Sequence, residues 1–149
     1  MAMLNRFGAF VTGITACYKY IQRIKTMEMT EFGLKGTHVM CLFYLHHSSQ
    51  GLTAAQLCQL CDEDKAAISR TLSELESKGY LQTRSAKKYR AEIQLTLEGT
   101  ALAEKMDTLI ENWVSLGGDG LTEEKRSSFY TALELIASNL KENYENEEK

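Results

Sequence analysis

Four cysteines and three histidines are the residues of this 149-residue chain best able to hold a metal or carry redox chemistry. Cys58-x-x-Cys61 has the spacing of half a zinc site or of a redox pair, since two thiols on one helical turn can reach a single ion. No second such pair, and no histidine pair, supplies the remaining ligands. Both cysteines fall where a short helix needs small apolar groups, and unpaired cysteine is among the most buried residue types, so both are read as core. His38 precedes Cys41 by three positions and His46 adjoins His47. All three histidines are read as cap or surface residues. None stands with a serine and an aspartate in a nucleophile motif, and there is no phosphate-binding glycine loop, so no enzyme activity, cofactor or metal is expected.

A different chemistry follows from the cations. The net charge is −3, yet its distribution is uneven: residues 1–63 carry five Lys/Arg and four Asp/Glu, residues 64–90 seven and three, and residues 91–149 five and thirteen. A local surplus of four positive charges is what a phosphate backbone responds to, whatever the sign of the whole chain.

The elements that must position those cations can be read from capping and period. Thr53 with Gln56 has the form of a capping box and opens a helix from Ala54 to about Cys61. Asp62, Glu63 and Asp64 interrupt the apolar pattern and put a carboxylate at the next helix start. The second helix, Lys65 to Lys78, buries Ile68, Leu72 and Leu75 and turns Lys65, Ser69, Arg70 and Ser73 outward, until Gly79 ends it. Tyr80 to Arg84 and Ala91 to Thr96 then alternate as two strands, with Ile93, Leu95 and Leu97 on one face and a basic tip, Ser85 to Arg90, between them. A helix pair followed by such a hairpin is a winged helix-turn-helix, whose second helix fits the DNA major groove. The expected DNA-binding residues are Thr53, Lys65, Ala66, Ser69, Arg70 and Ser73 on the helices, with Lys87, Lys88 and Arg90 on the wing.

The same residues carry a resemblance. Leu52-Thr53-Ala54-Ala55-Gln56-Leu57, Asp64 to Arg70, Leu75 to Leu81, and Arg90-Ala91 to Leu95-Thr96-Leu97-Glu98-Gly99 resemble the MarR family of bacterial transcriptional regulators over about 48 consecutive residues. Lys88 departs from the pattern, standing where the family usually has an Asp two residues before the arginine matched by Arg90. The resemblance implies a homodimer and an effector site where the first helix meets the winged core. On this chain the corresponding crevice would be lined by Cys17, Tyr18, Phe32, Cys41, Phe43 and Trp113, with Tyr20 nearby, and would take a small aromatic or apolar effector. Cys17 and Cys41 are then the candidates for thiol sensing, although the family's peroxide sensors carry their cysteine nearer the position of Val11. Its zinc-responsive members need histidine ligands after the wing, and this chain has none there.

Outside the motif, helical seams dominate. Leu4, Phe7, Val11, Ile14, Tyr18 and Ile21 form a seam in a helix from about Leu4 to Met27, with Phe10, Cys17 and Ile24 widening it. That seam runs through Ile14-Thr15-Ala16-Cys17, which otherwise looks like a lipoprotein cleavage site, and the continuity argues against a signal segment. After a turn at Phe32, Gly33, Leu34 and Gly36, Thr37 is read as capping a central helix from His38 to about His47, with Val39, Leu42, Phe43 and Leu45 apolar almost all round. Thr96 or Glu98 begins a helix to about Leu116 with Leu102, Met106, Leu109, Trp113 and Leu116 in register. Thr122 caps a last helix whose seam is Phe129, Leu133, Ile136, Leu140 and Tyr144, with the tail frayed from Glu145.

The expected architecture is mainly α with a small β-hairpin wing, in one domain over residues 1–149. Residues 34–99 form the winged helix-turn-helix core, and residues 1–30 and 100–145 a helical dimerisation module. The expected function is a cytoplasmic, sequence-specific DNA-binding regulator, a ligand-responsive repressor that binds a pseudo-palindromic operator of double-stranded DNA as a homodimer. Two alternatives stand beside it: a thiol- or metal-sensing regulator of the same fold, and a winged-helix protein-interaction module that does not bind DNA.

Overall fold

The computed structural model describes residues 2–82 and 91–148. Its helices are α1 (Met3–Thr30), α2 (Gly36–His47), α3 (Ala54–Cys61), α4 (Lys65–Ser77), α5 (Leu97–Gly117) and α6 (Glu123–Glu147). The chain divides into two compact units, residues 1–109 and 110–149. No helix among the described residues is long and apolar enough to cross a membrane.

The first unit holds the core. Val39, Cys41, Leu42 and Leu45 of α2, Leu57 of α3, and Ile68, Leu72 and Leu75 of α4 are all buried together, closed by Met29 at the end of α1 and by Leu102 and Met106 of α5. Such clustering of one face from each helix is what the three-and-four spacing of these residues produces. Two antiparallel bridges, Leu52 to Ile93 and Leu81 to Leu95, tie the segments flanking the wing to the core. Ile93 donates its N–H to the Leu52 carbonyl at 2.8 Å, and Gln82 donates to Gln94 at 2.9 Å.

Several expectations need correction. The described residues show isolated bridges where two continuous strands were expected, and Leu52 joins the ladder as a third segment. Leu97 does not share the buried face of Ile93 and Leu95: α5 begins at Leu97, which rotates its side chain outward to 88 % exposure. Thr96 is the residue that caps α5, its Oγ1 accepting from the Gly99 N–H at 3.0 Å. Thr37 does not cap α2, because the helix starts at Gly36 and the capping interaction runs the other way. The Lys35 N–H donates to His38 Nδ1 at 2.9 Å, so an imidazole one turn inside the helix closes its start. α6 remains helical to Glu147, beyond the expected fraying point.

The second unit is two helical segments joined through Gly118–Leu121. Thr122 caps α6 as expected, accepting from Lys125 N at 3.3 Å. Arg126 reaches back to donate to the Gly118 carbonyl at 3.3 Å and packs where a Cβ on that glycine would stand.

Candidate nucleic-acid interface and the adjoining cleft

α4 is defined at both ends by side chains and backbone that the sequence specifies. Asp64 accepts from the Ala67 N–H at 2.7 Å, satisfying an orphan donor of the first turn. At the other end Gly79 adopts φ 81°, while Tyr80 N donates to Leu75 O at 3.0 Å and Gly79 N to Glu76 O at 2.9 Å. This pairing closes the last turn with a left-handed residue that a side chain would strain. Ile68, Thr71, Leu72 and Leu75 are buried, which leaves Lys65, Ala66, Ser69, Arg70 and Ser73 exposed on the opposite face. A cation, hydroxyls and an arginine fork on one face of a rigid helix can donate to phosphates and to the edge of a guanine.

α3 packs under that helix with the predicted capping box in place. Thr53 Oγ1 accepts from Gln56 N at 3.2 Å, and Gln56 Oε1 accepts from Thr53 N at 2.9 Å. The Thr53 hydroxyl also lies 3.2 Å from Gln56 Oε1, so this side chain is already engaged locally. Lys87, Lys88 and Arg90 lie outside the described residues.

The histidines are not surface residues as a set. His38 is 1 % exposed, with Nε2 2.8 Å from Glu74 Oε2, so a buried ring ties the start of α2 to α4. Its Nδ1 faces the Lys35 backbone at the helix start and its Nε2 faces the carboxylate. Burial pushes the Glu74 carboxyl up, but Lys35, with Nζ at 3.6 Å, and His38 outweigh it and hold the group below the usual carboxylate range. His46 and His47 share Asp107, at 3.5 and 3.0 Å. Among the described residues, no three His, Cys, Asp or Glu side chains gather as a metal site.

Beside α4 the first unit contains a cleft of about 530 Å³ bordered by Tyr18, Gln22 and Lys25 of α1, Thr37 and Met40 of α2, Cys61, Asp62 and Glu63 at the end of α3, and Ala67, Ile68, Arg70 and Thr71 of α4. A smaller recess of about 200 Å³ shares Thr37, Ala67, Arg70 and Thr71 with it. Of the six residues expected to line an effector crevice, Tyr18 borders this cleft, its hydroxyl accepting from Gln22 Nε2 at 2.9 Å. Cys41 lies buried behind it, 4.0 Å from the sulfur of Cys61, and Cys17 is exposed on α1. Phe32 packs against the core, Phe43 is half-buried with its ring 4.6 Å from that of His47, and Trp113 belongs to the second unit. Gln22, Lys25, Thr37, Met40, Cys61, Asp62 and Glu63 were not anticipated there. Tyr18, Gln22 and Lys25 recur at four and three residues, a polar stripe on α1 that could have marked a lined surface.

Comparison with known proteins agrees with this geometry. The model of the MarR family matches residues 32–90. A MarR transcriptional regulator from Methanosarcina mazei Go1 is similar in structure, with 21 % identity, a TM-score of 0.75, and coverage of 89 % of this chain and 96 % of that one. MepR of S. aureus, solved as a DNA complex, shares 21 % identity with a TM-score of 0.74 over 85 % of this chain and 93 % of its own. A putative MarR family regulator from Listeria monocytogenes, solved with a 26mer DNA, shares 18 % identity with a TM-score of 0.78 over 89 % of each chain. No curated protein sequence matches the chain. The MarR family model thus matches the central part of the chain that holds the helix-turn-helix, and the fold is shared with MarR regulators along most of the chain's length.

Proposed function

We propose that the protein is a DNA-binding transcriptional regulator, not an enzyme, that acts as a homodimer on a two-fold-related operator in the cytoplasm. The observation that carries this reading is the exposed face of α4. Lys65, Ser69, Arg70 and Ser73 stand together on a helix capped at both ends, inside the stretch where positive charge is concentrated. Ala66 would contact base methyls or sugar, and Thr53 would exchange its Gln56 contact for a phosphate. Lys87, Lys88 and Arg90 of the wing would reach the neighbouring backbone or minor groove.

Dimerisation is supported by what the helices leave uncovered. Met29 is the one buried residue of α1, and α6 has none, while Phe7, Ile14 and Ile21 on α1 and Phe129, Ile136 and Leu140 on α6 are exposed. Seams of this kind are covered by a second copy in a symmetric assembly, which also supplies the two half-sites that operator readout needs.

The cleft beside α4 is the site we assign to an effector. Its volume of about 530 Å³ suits a small organic molecule, and its border pairs the cations Lys25 and Arg70 with the carboxylates Asp62 and Glu63, so a polar ligand would be held by individual contacts and not by net charge. Because Arg70 also stands on the groove-facing side, a ligand that engages it removes a DNA contact, and repression would be relieved by differential binding.

Selection of sites from a random DNA pool tests the reading. The wild-type protein is expected to enrich paired half-sites, and Arg70→Ala to lose ~1–3 kcal/mol of discrimination among them. Lys87→Ala with Lys88→Ala should weaken all sequences alike and lower the salt slope by about one per lost phosphate contact. No enrichment and no salt dependence would instead support a protein-interaction module.

A further inference from the structure

We propose that Cys41 and Cys61 form a reversible dithiol–disulfide pair through which a hydroperoxide alters the helix-turn-helix. Their sulfurs are 4.0 Å apart across two elements: Cys41 is buried in α2, and Cys61 is the last residue of α3, half-buried and open to the cleft. A disulfide needs the sulfurs at about 2 Å, so closure requires a movement of ~2 Å, within the reach of a helix end. The more accessible thiol is also the better nucleophile. The hydrogen bond with Cys41, and more weakly Lys25, favour the Cys61 thiolate while burial and the nearby Glu63 oppose it, with the net direction downward; the same bond and burial push Cys41 up. Cys61, the sulfur that borders the cleft, is thus the one an oxidant reaches first, and the buried Cys41 is the one that resolves it.

The chemistry balances with a hydroperoxide as oxidant. The Cys61 thiolate attacks the terminal peroxide oxygen, an S–O bond forms, the O–O bond breaks, and the alkoxide or hydroxide leaves with a proton. Cys41 then attacks the Cys61 sulfenic acid, forming the S–S bond and expelling hydroxide, which leaves as water with the Cys41 proton. Two thiols and one hydroperoxide give one disulfide, one alcohol or water, and one water.

The consequence for DNA follows from what adjoins Cys61. Asp62 is in the left-handed region at φ 51°, and Asp64 caps α4, so only the turn 62–64 separates the cross-linked sulfur from the groove-facing helix. Drawing the end of α3 toward α2 displaces that turn and with it Lys65 and Ala66. This step rests on the DNA-binding reading, and the test separates the two.

The Cys17→Ser/Cys58→Ser variant, which keeps only the proposed pair, is treated with cumene hydroperoxide and mapped by non-reducing peptide mass spectrometry. In parallel, anisotropy with a selected operator is measured before oxidation, after it, and after dithiothreitol. The expected result is a peptide linking Cys41 to Cys61, and operator affinity that falls by about tenfold or more and returns on reduction, within the ~5–150-fold range of couplings between sites. Adding Cys41→Ser or Cys61→Ser should abolish the response. Failure to form the link, or over-oxidation of Cys61 with Cys41 still free, overturns the pair. A link that leaves a competent operator complex unchanged overturns the coupling. If the reduced protein binds no DNA, the regulatory reading fails, and the peptide map alone decides the pair.

Discussion

Gly99→Ala should destabilise the protein although it replaces a helical glycine by the best helix former. Gly99 is buried in the first turn of α5, where a Cβ would collide with the carbonyl and Cα of Tyr80. Both sides of that contact are backbone, so no side chain can rotate away. The Tyr80 carbonyl accepts from Thr96 N at 3.0 Å, and Thr96 Oγ1 donates to the Gly79 carbonyl at 2.6 Å while accepting from Gly99 N. Separating α5 from Tyr80 therefore strains a knot of three hydrogen bonds that joins the end of α4 to the start of α5. Overpacking costs ~1–3 kcal/mol and weakening one or two of these hydrogen bonds ~1 kcal/mol each, against a propensity gain of ~1 kcal/mol, leaving a net loss of about 1–4 kcal/mol. At roughly 2–4 °C per kcal/mol for a chain of this size, the melting temperature should fall by several degrees. Urea unfolding at one fixed protomer concentration measures it, since self-association would otherwise enter the result. Gly117→Ala is the control: nothing lies within 4 Å of its Cβ position, so propensity alone acts and stability should hold or rise slightly. Equal stability of Gly99→Ala and wild type would refute the close-approach reasoning.

Two further outcomes test other parts of the structure. Ile136→Glu in α6, or Phe7→Glu in α1, should yield helical monomers by sedimentation velocity and abolish operator binding, because each apolar side chain is worth ~1.5–3 kcal/mol when covered and a two-fold interface loses it twice; a persistent dimer would show that the seam lies elsewhere. Glu74 is held below its ordinary value of 4.5 in the folded chain, so its contribution is fully present above that value and is lost as pH falls through the lower folded value. The stability difference between wild type and Glu74→Gln should accordingly shrink in acid below about pH 4.5, and a difference constant down to pH 2 would sink the ion-pair account.

What the sequence by itself determined is the set of features whose cause is local. Thr53, Asp64, Gly79 and Thr122 act on backbone groups within four residues of themselves, so their roles as caps and stops follow from residue type and spacing alone. The buried faces of α3 and α4 follow from helical period in the same way. The tertiary structure decided what depends on contacts between distant segments. His38 reads as a cap or surface residue until α4 brings Glu74 to its far side. Gly99 looks like an ordinary motif glycine until Tyr80 is packed against it. Cys41 and Cys61 are twenty residues apart, and no local rule pairs them, whereas the Cys58-x-x-Cys61 spacing draws attention to a partner on the same helix. The cleft follows the same logic, since its border combines α1, α2 and α4, and only the packing of the core against α1 sets Lys25 and Arg70 around one space. Local chemistry could name the helices and their ends; bringing side chains from three of them together required the long-range burial of Met29, Leu42, Leu57 and Leu72, which fixes where each helix lies against the next.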